Sequence, residues 1–335
     1  MLQLSIIIVN YNSKEYICDC LASACQFSSV KDFEWIIVDN KSADNSKEEI
    51  LNLFPFVKWI DMGYNSGFAR ANNAGILQSQ GTTVLLLNPD TIILNDSINK
   101  CLNRFLNGKE IACSVQLINP DGSSQITGNY FMTGGLNNLL PLPYLGKFLR
   151  KIAFLFDAKK TNVLQANDLQ EVDWINGAFL MVKKEAIRKA GLMDEDFFLY
   201  AEEAEWCYRL KKFGTLVIYG NLYVIHLQGE VINNATNSWD KGYFNLYDKK
   251  GLQLMVSNNL RIRKQYGALW FIFHLLVCIV EIPIFSLFNL FDNIIHFETP
   301  FKNGKLVTGY IKNVFEMVKM SPDIIYKKRR FYKIL

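Results

Sequence analysis

The chain has 335 residues, half of them hydrophobic, and a formal net charge of +4. This composition supplies a sizeable core and disfavours an intrinsically disordered protein. The seven cysteines include no C-x-x-C pair, which argues against a disulfide framework or a zinc site and fits a reducing, cytoplasmic compartment. The first predicted strand begins within four residues of Met1, so we expect no secretory signal.

The N-terminal part alternates short apolar runs with helical patterns. Three runs predict buried strands that end in polar residues: 4–9 before Asn10, 35–38 before Asp39, and 83–87 before Asn88-Pro89-Asp90. Helical patterns at about 14–27, 46–54 and 68–80 separate them. This alternation predicts an α/β fold with a mostly parallel, doubly wound sheet, whose ligands bind at the carboxyl ends of the strands. We therefore expect Asn10, Asp39 and Asp90 to converge on one site.

The second part of the sequence is less regular. Residues 119–170 show no clear period and predict an insertion or a substrate-facing loop, whereas residues 172–182 are strand-like. We expect one domain over 1–240, with a regular first half at 1–117 and a less regular second half at 118–240. Residues 241–335 are expected to form a helical, membrane-associating region.

The C-terminal region contains a long apolar segment. Residues 269–291 have Glu281 as their only formal charge and are long enough to cross a bilayer. A narrow polar face and Pro283 favour helices that lie in the interface, with a single span as the alternative. Nine Lys/Arg against two acids in 302–335 add attraction to anionic lipid. We expect residues 268–335 to bind the cytoplasmic face of the inner membrane in a peripheral or monotopic manner.

Two other interpretations of this basic tail stay open, namely a helical bundle packed on the catalytic domain and a nucleic-acid patch. The membrane interpretation is favoured because the first helix has few polar positions. No nucleic-acid partner is therefore expected.

Five motifs occur in a family-like order along the chain. They are residues 39–46 (DNKSADNS), 65–75 (NSGFARANNAG), 88–91 (NPDT), 174–179 (WINGAF) and 193–210 (MDEDFFLYAEEAEWCYRL). This set resembles the inverting family-2 glycosyltransferases of the GT-A fold, and within them the bacterial rhamnosyltransferase-like branch. The resemblance covers about residues 3–230.

The resemblance implies that residues 1–240 form a catalytic domain, with a nucleotide-binding half at 1–117 and an acceptor half at 118–240. It places a nucleotide-sugar donor site at the strand ends of the first half. Asp39 would accept hydrogen bonds from the base or ribose of the nucleotide. The other residues expected to hold the nucleotide are Asn10, Asp44, Asn65, Arg70 and Asn88.

The resemblance also implies a divalent cation, Mn²⁺ or Mg²⁺, which would neutralise the charge of the departing diphosphate. Asp90 and His226 fall on its ligand positions, and imidazole suits Mn²⁺ better than Mg²⁺. The sequence departs from the family's Asp-x-Asp pattern because Asn88 replaces the first carboxylate. A histidine without a metal role is the alternative for His226.

Transfer with inversion requires a base that removes the proton of the acceptor hydroxyl. Glu203 falls on the family's base position, which an aspartate usually occupies, and Glu202 and Glu205 are competitors. Acidic residues in the first turn of a helix are also favoured by the helix dipole without any catalysis. The residues expected on the acceptor side are Trp174, Asp194, Glu202 and Trp206.

These expectations define an enzyme that moves one sugar from dTDP-rhamnose or a UDP-sugar to a glycan or lipid-linked acceptor, in bacterial surface polysaccharide biosynthesis. One alternative is a nucleotidyltransferase, although no basic Gly-rich loop follows the first strand. The other is a non-catalytic, membrane-associated protein of the same fold that binds nucleotide sugars or glycans. The departures at Asn88 and Glu203 motivate that second alternative.

Overall fold

The computed structural model of the chain describes residues 2–156, 160–227, 245–299, 302–328 and 330–335. These residues form two compact units. The first unit takes its described residues from 1–131, 162–198 and 202–235, and the second from 132–161, 199–201 and 236–335. Residues 132–161, which the sequence assigns to the acceptor half, thus group with the C-terminal helices. The expected boundary at residue 240 lies outside the described residues.

The first unit begins with alternating strands and helices. They are β1 Leu4–Asn10, α1 Lys14–Ala24, β2 Glu34–Asp39, α2 Ser46–Leu53, β3 Lys58–Asp61, α3 Gly67–Gln78, β4 Thr83–Leu87, β5 Thr91–Ile93, α4 Ser97–Asn107 and β6 Ala112–Ile118. The remaining elements of this unit are β7 Gly128–Asn129, β8 Asn162–Val163, β9 Gln170–Val172, β10 Trp174–Ile175, β11 Phe179–Lys183, α6 Lys184–Ala190, α7 Glu202–Leu210 and β12 Leu216–His226. Helix α5 lies in the second unit.

The main sheet of the first unit has the order β3-β2-β1-β4-β11-β6-β12-β5, and β9 pairs with β12. Strands β1 to β4 are parallel to one another where they pair, but β11 lies antiparallel between β4 and β6. The α/β fold with parallel strands at its N-terminal side is therefore as predicted, and the sheet as a whole is mixed. The strand-like run 172–182 is divided among β9, β10 and β11.

The sheet is covered on both faces, because its central strands β1, β4 and β11 are mostly apolar and almost wholly buried. Ile6 and Ile8 of β1 pack into one hydrophobic cluster, while Ile7 packs into a second cluster. Successive side chains of a strand point to opposite faces, so an unbroken apolar run is the pattern of a strand buried on both sides. This packing fixes the strand ends, where the polar residues lie.

The second unit is helical. Its helices are α5 Leu145–Leu155, α8 Lys249–Tyr266, α9 Ala268–Ile295 and α10 Gly304–Ile325. Among the described residues, α9 is the one helix long and apolar enough to cross a membrane, with a mean hydropathy of 2.4 in its most apolar stretch. Its polar residues His274, Glu281 and Asn289 are buried within the unit.

Candidate active site

The carboxyl ends of neighbouring strands bring polar residues together. Asn10 of β1 pairs in register with Asp39 of β2, and Asp39 pairs with Asp61 of β3. On the other side of β1, β4 ends at Leu87 and leads into Asn88-Pro89-Asp90. At the far side of the sheet, His226 ends β12 and pairs with Thr91 of β5. The sheet thus gathers two groups of polar side chains along one edge.

The first group surrounds Asp39. Asn10 Nδ2 donates to Asp39 Oδ1 at 2.8 Å and to Ser46 Oγ at 2.7 Å, and Ser42 N donates to Asp39 Oδ2 at 3.0 Å. Asp39 Oδ2 therefore holds the loop that joins β2 to α2, and Asp39 Oδ1 holds the end of β1. This network orders the strand end on which a nucleotide is expected.

The other residues expected to bind nucleotide also contact the backbone. Asp44 accepts from Lys14 N at 3.1 Å and from Ser46 N at 3.3 Å, and Asn65 Oδ1 accepts from Gly67 N at 3.2 Å. Arg70 Nε donates to Glu195 O at 3.2 Å. These contacts shape the loops between the strands and the following helices.

The turn before α3 requires glycine. Gly67 has a φ of +75°, and a Cβ at this position would lie 2.3 Å from Phe198 O. The next amide, Phe68 N, donates to the same carbonyl at 2.8 Å. Asn40 closes the turn because its Oδ1 accepts from Ser66 Oγ at 2.6 Å. The segment 65–67 is thus fastened to both β2 and the loop before α7.

The second group consists of Asp90 and His226. Both side chains are buried, and His226 Nε2 lies 3.5 Å from Asp90 Oδ1. On the other side of the ring, His226 Nδ1 lies 3.0 Å from Gln125 Oε1, which can only accept a hydrogen bond. The proton therefore belongs on Nδ1, and the lone pair of Nε2 faces Asp90. Asn88 Nδ2 lies 3.4 Å from the same Nε2, which agrees with this tautomer.

These residues fit a divalent cation. A buried carboxylate oxygen and an imidazole lone pair that face each other repel unless a cation or a proton lies between them. A partner on the far ring nitrogen is also the usual arrangement for a metal-binding histidine, and Gln125 supplies it here. Within the described residues no cluster of three or more His, Cys, Asp or Glu side chains forms a complete metal site. A cation held here would need further ligands, and diphosphate oxygens are suitable ones.

The acidic residues at the start of α7 differ from one another. Glu202 is buried, and its Oε2 has no hydrogen-bond partner among the described residues. Burial raises the pKa of Glu202 well above its usual range, and the nearby charge of Glu203 raises it further. Glu205 is held by Arg209, whose Nη2 donates to Oε2 at 2.7 Å. Glu203 is half-buried and lies next to the loop that contains Gly177.

The loop 176–178 links the region of Asn88 to the region of Glu203. Asn88 N donates to Ala178 O at 2.9 Å, and Asn176 Oδ1 accepts from Ala178 N at 2.9 Å. A Cβ on Gly177 would lie 3.8 Å from the Cβ of Glu203. One loop thus contacts both the segment that carries Asp90 and the residue expected to act as base.

The expected acceptor residues divide into two kinds. Trp174 and Asp194 are half-buried, and Asp194 Oδ1 accepts from Asp196 N at 3.0 Å. Trp206 differs from the expectation, because its ring is fully buried and its Nε1 donates to Gly191 O at 2.8 Å. Trp206 therefore belongs to the core and presents no face to a sugar. Its position among the acidic residues of α7 gave no sign of which helix face it occupies.

Gln125 was missed in the sequence. It lies in the irregular segment 119–170, where no periodic pattern singles it out. Besides contacting the His226 ring, it donates from Nε2 to His226 O at 2.6 Å. A lone glutamine in a loop carries no local signal of such a role, and only the tertiary fold brings it to the end of β12.

The comparison with protein families identifies the class of this protein. Residues 5–171 match the model of glycosyl transferase family 2, so the chain contains a domain of that family and belongs to it. The match includes the ends of β1, β2 and β4 and the segment that carries Gln125. The family expected from the five motifs is confirmed.

Curated relatives agree with this assignment. The low-salt glycan biosynthesis hexosyltransferase Agl10 of Haloferax volcanii is 29% identical over 218 residues, which are 62% of this chain and 62% of the relative. The N-acetylglucosaminyl-diphospho-decaprenol L-rhamnosyltransferase of Mycobacterium tuberculosis is 25% identical over 64% of this chain and 73% of the relative. The chain thus spans less than two thirds of the length of the first of these relatives.

Solved structures support the fold. A crystal structure of GalNAc-T7 with UDP, GalNAc and Mn²⁺ has a TM-score of 0.50 and 16% identity, and the similarity covers 68% of this chain and 43% of that one. At this identity the likeness concerns the fold alone. The mixed α/β, GT-A-like fold with a C-terminal helical region is confirmed.

Proposed function

We propose that this protein transfers a single sugar from a nucleotide diphosphate donor to a glycan or lipid-linked acceptor, with inversion at the anomeric carbon. The observation that carries the proposal is the buried pair of Asp90 and His226, which lies at the carboxyl edge of the sheet in a family 2 domain. A ligand-type carboxylate and imidazole at this edge suit a diphosphate and its cation.

The donor nucleotide is assigned to the strand ends of residues 1–117. Asp39 and Asn10 lie on neighbouring strands in one network, and Asp44, Asn65 and Arg70 order the adjoining loops. A preordered, partly buried polar edge favours nucleotide binding because its side chains need little rearrangement. We assign the base or ribose to Asp39 and the phosphate side to Asn88 and Arg70.

The cation is assigned to Asp90 and His226. Mn²⁺ or Mg²⁺ held there would neutralise the negative charge of the leaving diphosphate. The tautomer imposed by Gln125 keeps the Nε2 lone pair of His226 available as a ligand. Asn88 adds an amide beside the same ring nitrogen, where a carboxylate would have added a second negative charge.

We assign to Glu203 the role of the base that removes the proton of the acceptor hydroxyl. Glu205 is in an ion pair with Arg209, and the raised pKa of Glu202 favours its neutral form, so neither is suited to act as base. We assign Trp174, Asp194 and Glu202 to the acceptor half, 118–240. Inversion follows when the hydroxyl attacks from the side opposite the diphosphate.

We propose that the enzyme meets its acceptor at a membrane surface. Helix α9 has an apolar composition typical of membrane contact, and residues 302–335 are basic. The mycobacterial relative is named for a diphospho-decaprenol acceptor, which supports a lipid-linked saccharide here. We propose that residues 268–335 hold the enzyme at the cytoplasmic face of the membrane, in the assembly of a bacterial surface polysaccharide, with rhamnose from dTDP as the first candidate donor.

A panel of nucleotide sugars tests the proposal. Purified full-length protein is incubated with dTDP-rhamnose or UDP-sugars, Mn²⁺ or Mg²⁺, and a lipid extract as acceptor, and release of nucleoside diphosphate is measured. We expect release with one donor, dependent on the metal and stimulated by the extract. Binding of donor without release in every condition would instead show the non-catalytic binding protein. In a parallel incubation with a nucleoside triphosphate and a sugar 1-phosphate, release of pyrophosphate with formation of the nucleotide sugar would show a nucleotidyltransferase.

A further inference from the structure

Helix α5 carries an outward face in which cations and apolar side chains alternate. Its exposed residues are Lys147, Phe148, Arg150, Lys151, Phe154 and Leu155. Phe154 and Leu155 are 87% and 79% exposed, and Lys147, Arg150, Lys151, Phe154 and Leu155 line an open groove. None of the three cations forms an ion pair with a described carboxylate. Lys147 Nζ lies 4.9 Å from the centre of the Tyr144 ring. Large aromatic and aliphatic side chains this exposed, next to cations without a carboxylate partner, are unusual on a surface that faces only water.

The start of α5 is fastened to α9. Glu281, which is fully buried in the apolar helix, accepts from Tyr144 N at 2.6 Å and from Leu145 N at 3.0 Å. Tyr144 OH donates to Asp292 Oδ2 at 2.7 Å. A carboxylate that accepts from the first amides of a helix is a strong cap. The lone charge of the apolar segment therefore serves to hold α5 in place.

The face of α5 continues into the outward face of α9. The ring of Tyr144 lies 5.5 Å from the ring of Phe288, which is exposed. Further exposed apolar residues on α9 are Leu269, Phe273, Leu276, Val280, Leu287, Phe291, Ile294 and Ile295. Helix α9 contributes no Lys or Arg to this surface, so α5 is its source of positive charge next to Phe288.

We propose that α5 is a second membrane-contacting helix, whose Lys147, Arg150 and Lys151 bind anionic phospholipid headgroups while Phe148, Phe154 and Leu155 enter the apolar boundary of the bilayer. The inference deepens the proposed membrane association, because it assigns lipid-charge recognition to a helix outside residues 268–335. Lysine and arginine suit this position since their stems can lie among acyl chains while their charged ends reach the phosphates. Cations beside exposed apolar side chains that continue into the apolar face of α9 favour an anionic bilayer, which offers phosphates next to acyl chains.

The test is vesicle flotation with the full-length chain. Wild-type protein is compared with K147Q/R150Q/K151Q on phosphatidylcholine vesicles, with and without phosphatidylglycerol. Each headgroup contact near the surface contributes about fivefold to partitioning, so we expect roughly 100-fold weaker binding of the variant to the anionic vesicles. Binding to the neutral vesicles should be unchanged, because α9 supplies the apolar contact.

A matched control removes three exposed cations from the first unit, in K31Q/K109Q/R188Q. Equal binding of the two triple variants to anionic vesicles would overturn the proposal. A second variant, F148S/F154S/L155S, should weaken binding to both kinds of vesicle. If it instead converts a wild-type dimer into a monomer in light scattering, the face is a contact between copies and the proposal fails.

Hydrolysis of the soluble donor distinguishes this inference from the proposed function. None of the substituted residues belongs to the site at the strand ends, so all of these variants should release diphosphate at the wild-type rate. A wild-type protein that binds anionic vesicles but releases no diphosphate from any donor would leave the α5 inference standing and would remove the enzymatic proposal.

Discussion

The two units bury polar side chains for different purposes. In the first unit, Asp90 and His226 face each other at a sheet edge, with ligand-type atoms 3.5 Å apart. In the second, the equally buried Glu281 and His274 bind backbone groups, as His274 Nε2 does when it donates to Gly134 O at 2.8 Å. A buried charge therefore indicates a ligand site only when its partners are themselves ligand-type atoms. Where the partner is the local backbone, the residue fixes the fold.

Removing Asp90 tests whether a buried carboxylate that faces a ligand-type atom forms a ligand site, and it should have the largest effect. We expect Asp90→Ala to lower donor turnover by about 10³-fold, because the diphosphate loses the carboxylate assigned to its cation. Calorimetry should show weaker binding of Mn²⁺ in the presence of nucleotide. Asp61→Ala is the matched control, since Asp61 also ends a strand at this edge but is exposed. Equal losses in the two variants would show that the edge acts through charge in general and that Asp90 is not a specific ligand.

Glu203 tests the assignment of the base in the first unit. Glu203→Gln keeps the size of the side chain but cannot accept a proton, so we expect turnover to fall by about 10²-fold with little change in donor binding. Glu203→Asp, which restores the family's residue, should recover part of the rate. Glu185→Gln, on an exposed face of α6, serves as the control. Full activity in Glu203→Gln, measured by diphosphate release with acceptor present, would exclude Glu203 as the base.

Glu281 tests whether a buried carboxylate whose partners are backbone amides stabilises the fold. Glu281→Ala leaves Tyr144 N and Leu145 N without their acceptor, and we expect a loss of about 2–3 kcal/mol in the free energy of unfolding of the second unit. Hydrogen exchange at these two amides should accelerate. Glu316→Ala removes a half-buried carboxylate of α10 that is paired only with Lys319 at the surface, and it should change stability by less than about 0.5 kcal/mol. Unchanged exchange at both amides in Glu281→Ala would show that α5 does not depend on this cap.

The parts of the site that follow strand ends were predictable from the sequence, whereas the parts that depend on tertiary contacts were not. An apolar run followed by Asn10, Asp39 or Asp90 already indicates the edge of a sheet, because burial on both faces allows few alternatives. Gln125 lies on an irregular segment, and nothing local predicts its contact with His226. The same limitation hid α5 within residues 119–170 and the burial of Trp206. Antiparallel β11 escaped prediction because an apolar strand carries no signal of its direction.

Glu202 is the exception within the first unit, since it is a buried carboxylate with one oxygen that has no hydrogen-bond partner among the described residues. Burial raises its pKa above the usual value of 4.5, so the folded state holds its proton more tightly than the unfolded state. The wild type must then lose stability as pH rises through the window from 4.5 to the higher folded value, and it does not regain that stability at more alkaline pH.

Glu202→Gln removes this ionisation, so its stability relative to the wild type should increase through the same window and show little difference below it. Urea unfolding at a series of pH values measures the effect. The same series in a Glu203→Gln background removes the charge of the neighbouring residue. A pH profile identical to the wild type would mean that Glu202 is solvated as an ordinary carboxylate. If turnover is lost in Glu202→Gln but kept in Glu203→Gln, the two residues exchange roles, and the buried carboxylate with the raised pKa becomes the base.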